Sequence, residues 1–249
     1  METVNSPLTN SIALRSDVFS GCKLRSLFLF SILGQSRAQF QTCTEHTFIV
    51  ATADRVCMID FNSIYQGDAP WDISRPQKEF VQLEEAGDIV GSVLDVGCGT
   101  GENALFLAAQ GHEVWGVDFT SIAIKKAHDK AIERNLNVTF LTRNALDLHT
   151  LGRVFDTVID SGLFHVFSDE ERPLFVTSLA SVLRRYGTYF MLCFSELVLG
   201  SNGPRRVTQA EIRNAFSSSW HINYIRQARI SSDRLTEGVK AWLSSISKE

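Results

Sequence analysis

The chain of 249 residues has no cysteine framework: Cys22, Cys43, Cys57, Cys98 and Cys193 are odd in number, widely spaced and without a C-x-x-C pair. Such spacing excludes a disulfide scaffold and a zinc site, and makes a reducing compartment the default. An excess of positive charge is also missing. The net charge of −4 gives no basis for gripping a polyanion, so nucleic acid is not expected as a partner. The apolar stretch Leu27–Leu33 falls far short of the roughly 20 residues that span a bilayer, so no membrane partner is expected. His46, His112, His128, His149 and His221 show no metal-ligand spacing, and no metal is expected. No internal repeat, coiled coil or low-complexity linker is visible. With 44% hydrophobic and 21% charged residues, the composition is that of one soluble, enzyme-sized domain with a full core.

The first residues are biased differently. From Met1 to Thr44 the acids are Glu2 and Asp17 alone, against Arg15, Lys23, Arg25 and Arg37, and serine recurs throughout. Organelle transit peptides share that bias. The expectation is a loosely ordered or partly docked extension over residues 1–58, ahead of a domain over residues 59–249, in a cytoplasmic protein whose extension is also compatible with organelle targeting.

The segment Val93-Leu94-Asp95-Val96-Gly97-Cys98-Gly99-Thr100-Gly101 reads as an apolar strand running into glycines at alternate positions, directly ahead of a helical pattern. Glycines there let the backbone turn tightly against a ligand, and the helix offers its free N–H groups to the same crevice. A dinucleotide loop, G-x-G-x-x-G, would need a glycine where Glu102 stands. A carboxylate at that helix start disfavours a pyrophosphate, and Asp95 adds a second negative charge, so a cationic ligand is expected. S-adenosylmethionine fits, carrying a sulfonium and an α-ammonium but no phosphate. Cys98 is read as a small residue suited to a crowded turn. The strand Glu113–Asp118 ends in Asp118, about twenty residues beyond the glycines, where an acid accepts the ribose hydroxyls in βαβ nucleotide sites.

On these residues the chain resembles the class I S-adenosylmethionine-dependent methyltransferases, from about Phe61 to Ser247. The resemblance implies an α/β fold, a doubly wound, mostly parallel seven-stranded sheet of Rossmann-like type. It also implies that Asp95, Gly97, Cys98, Gly99 and Gly101 hold the methionine part of the cofactor, Asp118 the ribose and Phe119 a face of the adenine. Asn144 and Ala145 stand where the family contacts adenine, with Asn144 in place of the common acid. Asp160, closing the strand Phe155–Asp160, joins the candidate cofactor residues. The Asn/Asp-Pro-Pro-aromatic tetrapeptide of many DNA-base methyltransferases is absent, its place reading Asp160-Ser161-Gly162-Leu163. Relatives often carry Arg-Pro-Gly-Gly before the fifth strand. Here Arg184-Arg185-Tyr186-Gly187 lacks the proline, and a less rigid turn is expected.

Upstream, Gly67…Pro70-Trp71-Asp72…Pro76 resembles the thiol, halide and thiopurine branch of the family, in which this segment folds over the cofactor and would place Trp71 against the sulfonium. The alternative for Trp71 is an anchor between the N-terminal helix and the domain. If a hydroxyl acceptor must lose a proton, His165 just past the fourth strand is the candidate base. Arg205 and Arg206, in the connection after the fifth strand, could hold a substrate carboxylate. The expected reaction is methyl transfer from S-adenosylmethionine to an O, N or S atom of a small molecule. A catalytically inactive binding module and, more weakly, a nicotinamide-dependent oxidoreductase are the alternatives; oligomeric state is left open.

Apolar periodicity predicts the strands Ser92–Val96, Val114–Asp118, Val138–Leu141, Thr157–Asp160 and Thr188–Phe194, with a closing pair His221–Arg229 and Val239–Ser247. Helices are expected over Glu102–Gln110, Ser121–Asn135 and Asp169–Leu183. Capping boxes are read at Ser168 with Glu171 and at Thr208 with Glu211.

Overall fold

The computed structural model describes residues 47–52, 55–67, 69–200 and 204–249. The transit-like residues 1–46 lie outside the described residues. Strands β1 (Thr47–Thr52) and β2 (Arg55–Asp60) pair as an antiparallel hairpin inside the stretch expected to be loosely ordered. Helices α1 (Phe61–Gln66) and α2 (Lys78–Glu85) lead into the sheet.

The elements then alternate as the periodicity predicts: β3 (Val93–Val96), α3 (Glu102–Ala109), β4 (Val114–Asp118), α4 (Ser121–Glu133), β5 (Val138–Thr142), a 3-10 segment Ala145–Leu151, β6 (Phe155–Ser161), α5 (Glu171–Val182) and β7 (Leu183–Phe194). Helix α6 (Gln209–Ala215) and strands β8 (Trp220–Ile230) and β9 (Val239–Lys248) close the chain. The sheet has seven strands in the order β5-β4-β3-β6-β7-β9-β8, with β9 antiparallel to β7 and β8 and every other pair parallel. The chain winds one way from β3 to β5 and returns to the other side of β3 at β6. That reversal opens a crevice at the carboxyl ends of β3 and β6.

Consecutive strand residues enter opposite cores. Leu94, Val158, Tyr189 and Met191 pack on one face, and Val93, Ile159, Phe190 and Leu192 on the other. A parallel sheet covered on both faces has no polar face, which is why these strands read as near-continuous apolar runs. Both predicted capping boxes form: Ser168 Oγ accepts from Glu171 N at 3.2 Å while Glu171 Oε2 accepts from Ser168 N at 2.9 Å, and Thr208 and Glu211 make the same reciprocal pair.

The turn before the body of β7 departs from expectation. Tyr186 adopts φ 65°, yet the turn is tied down: Arg184 Nε lies 2.7 Å from Asp156 Oδ1. The other oxygen of Asp156 accepts from Ser92 N at 2.9 Å and Ser92 Oγ at 2.8 Å. Ser92 and Arg184 together hold that carboxyl below its usual pKa. The charge-assisted contact restrains the turn without the missing proline ring.

Behind the glycine loop, Gly116 of β4 has no room for a side chain. A Cβ there would lie 2.6 Å from Phe140 ring atoms and 3.0 Å from Cys98 Sγ. Gly116→Ala is expected to destabilise the fold by about 1–3 kcal/mol through overpacking, read as a lower urea midpoint at unchanged slope.

Among the described residues no helix is long and apolar enough to cross a membrane.

Candidate active site

Gly97, Gly99 and Gly101 all take positive φ, at 71°, 55° and 87°, a region where other residues are strained. A Cβ on Gly99 would lie 2.8 Å from the Tyr65 hydroxyl, and one on Gly101 2.7 Å from the Phe140 ring. The loop hangs on β4: Gly97 N and Cys98 N donate to Val117 O at 2.8 and 3.0 Å. Gly99 N donates to Asp118 Oδ2 at 3.1 Å, while Asp118 Oδ1 accepts from Thr120 N at 2.8 Å. Asp118 therefore shapes the loop as well as facing the crevice, and keeps lone pairs for further donors. Burial raises its pKa.

Asp95 is 1% exposed, and among the described residues neither of its carboxylate oxygens closes a hydrogen bond of full geometry, the Ala104 backbone N–H in the first turn of α3 being the one donor that acts on it. Burial, then the charge of Asp160, pushes its pKa up to about 8. Such a group calls for a cationic partner. Asp160 is different. Its Oδ1 accepts from Leu163 N at 2.7 Å, and its Oδ2 accepts from Phe164 N at 3.0 Å and from the Tyr189 hydroxyl at 2.8 Å. The expectation that Asp160 contacts the cofactor gives way to a positioning role, since its oxygens organise the loop after β6. Burial raises its pKa to about 7.

Glu102 corrects a step of the sequence argument. It lies 2.8 Å from Lys130 Nζ and 2.8 Å from Arg134 Nη1, and although burial opposes ionisation, the two cations hold its pKa below the usual value. Its charge is spent on Lys130 and Arg134, so the exclusion of a pyrophosphate rests on Asp95.

Over the glycine loop sits an aromatic cluster. Trp71 Nε1 donates to the Tyr65 hydroxyl at 3.0 Å, and the Phe61 ring lies 5.7 Å from Trp71 and 5.5 Å from Phe119. Asp72 accepts from the Thr100 hydroxyl, and Gln77 N donates to Asn103 Oδ1 at 2.8 Å, strapping the segment to the loop and to α3. Trp71 thus contacts α1, as the anchoring alternative has it, and remains 42% exposed beside the loop. Tyr65, buried against Gly99, is the residue the sequence reading passed over. Its signal was its place, with Phe61, near where the branch carries a further upstream tryptophan that this chain lacks.

Beyond Asp118, Arg143 N donates to Asp118 O at 2.9 Å and brings the end of β5 alongside. Asn144 there is exposed, with Oδ1 accepting from Leu146 N at 2.9 Å. That cap leaves its amide NH2 for a ligand. Ala145 O accepts from Ser178 Oγ at 2.8 Å. Cys98 is buried and free, its thiol pKa pushed up by burial and then by Asp95.

Across the crevice, His165 is 5% exposed, and its Nδ1 accepts from Phe194 N at 3.1 Å. Burial, then Arg206 and Arg172, push its pKa down to about 3. A neutral ring with Nδ1 occupied carries its proton on Nε2, so it presents an N–H and no lone pair, contrary to the expectation of a general base. Arg205 is likewise engaged, 2.8 Å from Asp169 Oδ1 and paired with Glu211, and Arg206 Nη1 donates to Pro204 O. Arg205 is therefore part of a surface network and not a reserved carboxylate clamp.

A methyltransferase-domain family model matches residues 93–187. The 2-heptyl-1-hydroxyquinolin-4(1H)-one methyltransferase of Mycobacteroides abscessus is 35% identical over 181 residues, covering 68% of this chain and 80% of the relative. The chain belongs to the class I S-adenosylmethionine-dependent methyltransferases. A probable thiol methyltransferase 2 of Arabidopsis thaliana is 28% identical, over 58% of this chain and 65% of the relative. Among solved structures, one described for conversion of a disulfide bond into a thioacetal group during echinomycin biosynthesis aligns with TM-score 0.69 and 33% identity, over 76% of this chain and 92% of that one. The magnesium protoporphyrin IX methyltransferase of Synechocystis with bound cofactor shares the fold at TM-score 0.55 and 23% identity, over 69% of this chain and 76% of that one.

This methyltransferase uses S-adenosylmethionine, and its residues fit that group: glycines where a Cβ would collide, a buried acid at the end of β4 that holds the glycine loop, and a second buried carboxylate with no cation beside it. The nicotinamide alternative and the inactive-module alternative fall with that membership.

Proposed function

We propose that this methyltransferase methylates an O, N or S atom of a small molecule in the cytoplasm, through a domain spanning residues 59–249. Asp95 carries the reading: a fully buried carboxylate with no cation beside it matches the α-ammonium of S-adenosylmethionine. When bound, the cofactor supplies a methyl carbon activated by its sulfonium. Gly97, Cys98, Gly99 and Gly101 cradle its methionine part. Asp118 accepts the ribose hydroxyls, Phe119 covers the adenine, and Asn144 and Ala145 reach the adenine edge. Trp71, half-exposed beside the loop, would offer the sulfonium a ring face, which attracts a cation.

The quinolone and thiol named for the two relatives support a compact, diffusible acceptor. So does the aromatic cluster of Phe61, Trp71 and Phe119 over the glycine loop. With the methyl carbon already electrophilic, the protein's work is alignment and exclusion of water. Calorimetric titration with S-adenosylmethionine, S-adenosylhomocysteine and NAD tests the reading. Micromolar binding of the first two and none of NAD is expected; binding of NAD alone overturns it.

A further inference from the structure

We propose that His165 donates its Nε2–H to a negatively charged acceptor atom, so that the enzyme takes acceptors already ionised, as thiolates or acidic oxyanions. The inference rests on the methyl-transfer reading above. It starts from the Phe194 amide, which can only donate, so that Nδ1 must accept and the ring hydrogen sits on Nε2. No partner for Nε2 is present among the described residues. The edge carrying it lies beside Gly162, where a Cβ would come within 3.5 Å of Cε1 and 3.7 Å of Nε2. Glycine leaves that edge uncovered, at the carboxyl end of β6 where the crevice opens.

The surrounding charge has the matching sign. The cations acting on the ring are Arg206 and Arg172, Arg172 being 5% exposed with its guanidinium 4.8 Å from the Phe164 ring. Of the nearby acids, Glu211 is shared by Arg172 and Arg205 and offsets part of their charge, Asp169 pairs with Arg205, Glu196 meets the Trp242 indole at 2.6 Å, and Asp160 at the end of β6 is held by Leu163 N, Phe164 N and the Tyr189 hydroxyl. On the remaining side the Phe194 ring lies 4.6 Å away and brings no charge. A buried N–H donor with Arg206 acting on the same ring favours a bound anion. The chemistry then balances without a base: the acceptor's lone pair forms the new bond to the methyl carbon, the carbon–sulfur bond breaks with its pair staying on sulfur, and no proton moves.

The test uses 4-nitrophenol and 4-nitrothiophenol, whose anions absorb visible light, bound beside S-adenosylhomocysteine so that no turnover occurs. The expected result is a downward shift of about one unit in the apparent pKa of the bound probe, largely kept by His165→Gln, which retains a donor, and lost in His165→Phe. Methylation of the same probes should fall at least tenfold in kcat/KM for His165→Phe, with the Kd for S-adenosylmethionine unchanged. Nitrogen NMR of the wild-type ring, showing an Nε2–H tautomer that does not titrate from pH 5 to 9, checks the proposal without any variant. A probe bound in its neutral form, no probe binding while S-adenosylmethionine binds, or His165→Gln as inactive as His165→Phe overturns the donor role. Failure of the wild type to bind S-adenosylmethionine overturns the functional reading instead.

Discussion

Asp118→Ala is expected to raise the dissociation constant for S-adenosylmethionine about hundredfold, the equivalent of roughly 2.8 kcal/mol. Two effects add. The ribose loses a charged acceptor for its hydroxyls, each such bond being worth about 1.5–3 kcal/mol. The glycine loop loses the carboxylate that receives Gly99 N at 3.1 Å. Asp118→Asn separates them: the amide oxygen can still accept from one backbone N–H, but its NH2 cannot accept from anything. An intermediate loss, near tenfold, is expected for Asn. Calorimetry on both variants, with thermal unfolding as a check on the fold, decides the matter. Unchanged affinity in a folded Asp118→Ala protein would remove the ribose assignment.

The sheet was legible because both of its faces are covered. Strands such as Val114–Asp118 were bounded without error because the apolar run stops at an acid that has work to do at the strand end. Helices were legible from their caps, Thr208 with Glu211 most directly. The hairpin β1–β2 was not, because the bias of the preceding residues was extended over it. At the Arg184–Gly187 turn the missing proline is visible in sequence, whereas Asp156 reaching Arg184 from the start of β6 is a tertiary fact.

Within the site, backbone-shaping residues were readable and side-chain loyalties were not. Gly97, Gly99 and Gly101 declare a conformation by their identity alone. Glu102 was assigned to the crevice from its place at a helix start, but α4 carries Lys130 and Arg134 about thirty positions later, and a carboxylate follows its nearest cations. His165 and Asp160 failed likewise. Each faces a backbone donor, Phe194 N for the imidazole and Leu163 N for the carboxylate, and a backbone amide has no sequence signature.

Affinity for S-adenosylmethionine is expected to climb as pH rises from about 6 to 8, by up to tenfold per unit, and to fall again above that. Asp95, raised to about 8 in the unliganded protein, holds a proton there that an unfolded chain has released above about pH 4. The folded state therefore binds more protons across that window, and the stability of the unliganded protein declines as pH rises through it. The α-ammonium of the ligand reverses the preference by favouring the ionised carboxylate, so binding releases a proton below pH 8. The descending limb comes from the ligand's own amine, which loses its charge near pH 8. Asp95→Asn should flatten the rising limb and abolish proton release, measured by calorimetry in phosphate and in Tris. It should weaken binding by two orders of magnitude or more, since removing one partner of a buried pair costs about 3–5 kcal/mol. The same variant should raise the melting temperature of the unliganded protein at pH 8, where the wild type must begin to ionise a buried carboxyl that only the Ala104 backbone N–H favours and no cation among the described residues pairs with. Affinity flat from pH 6 to 8 in the wild type would show Asp95 already ionised and partnered, and would move the cation's seat elsewhere. A buried carboxylate with no cation beside it destabilises the empty protein and selects a cationic ligand by the same physics, so stability and affinity should move in opposite directions when Asp95 is neutralised.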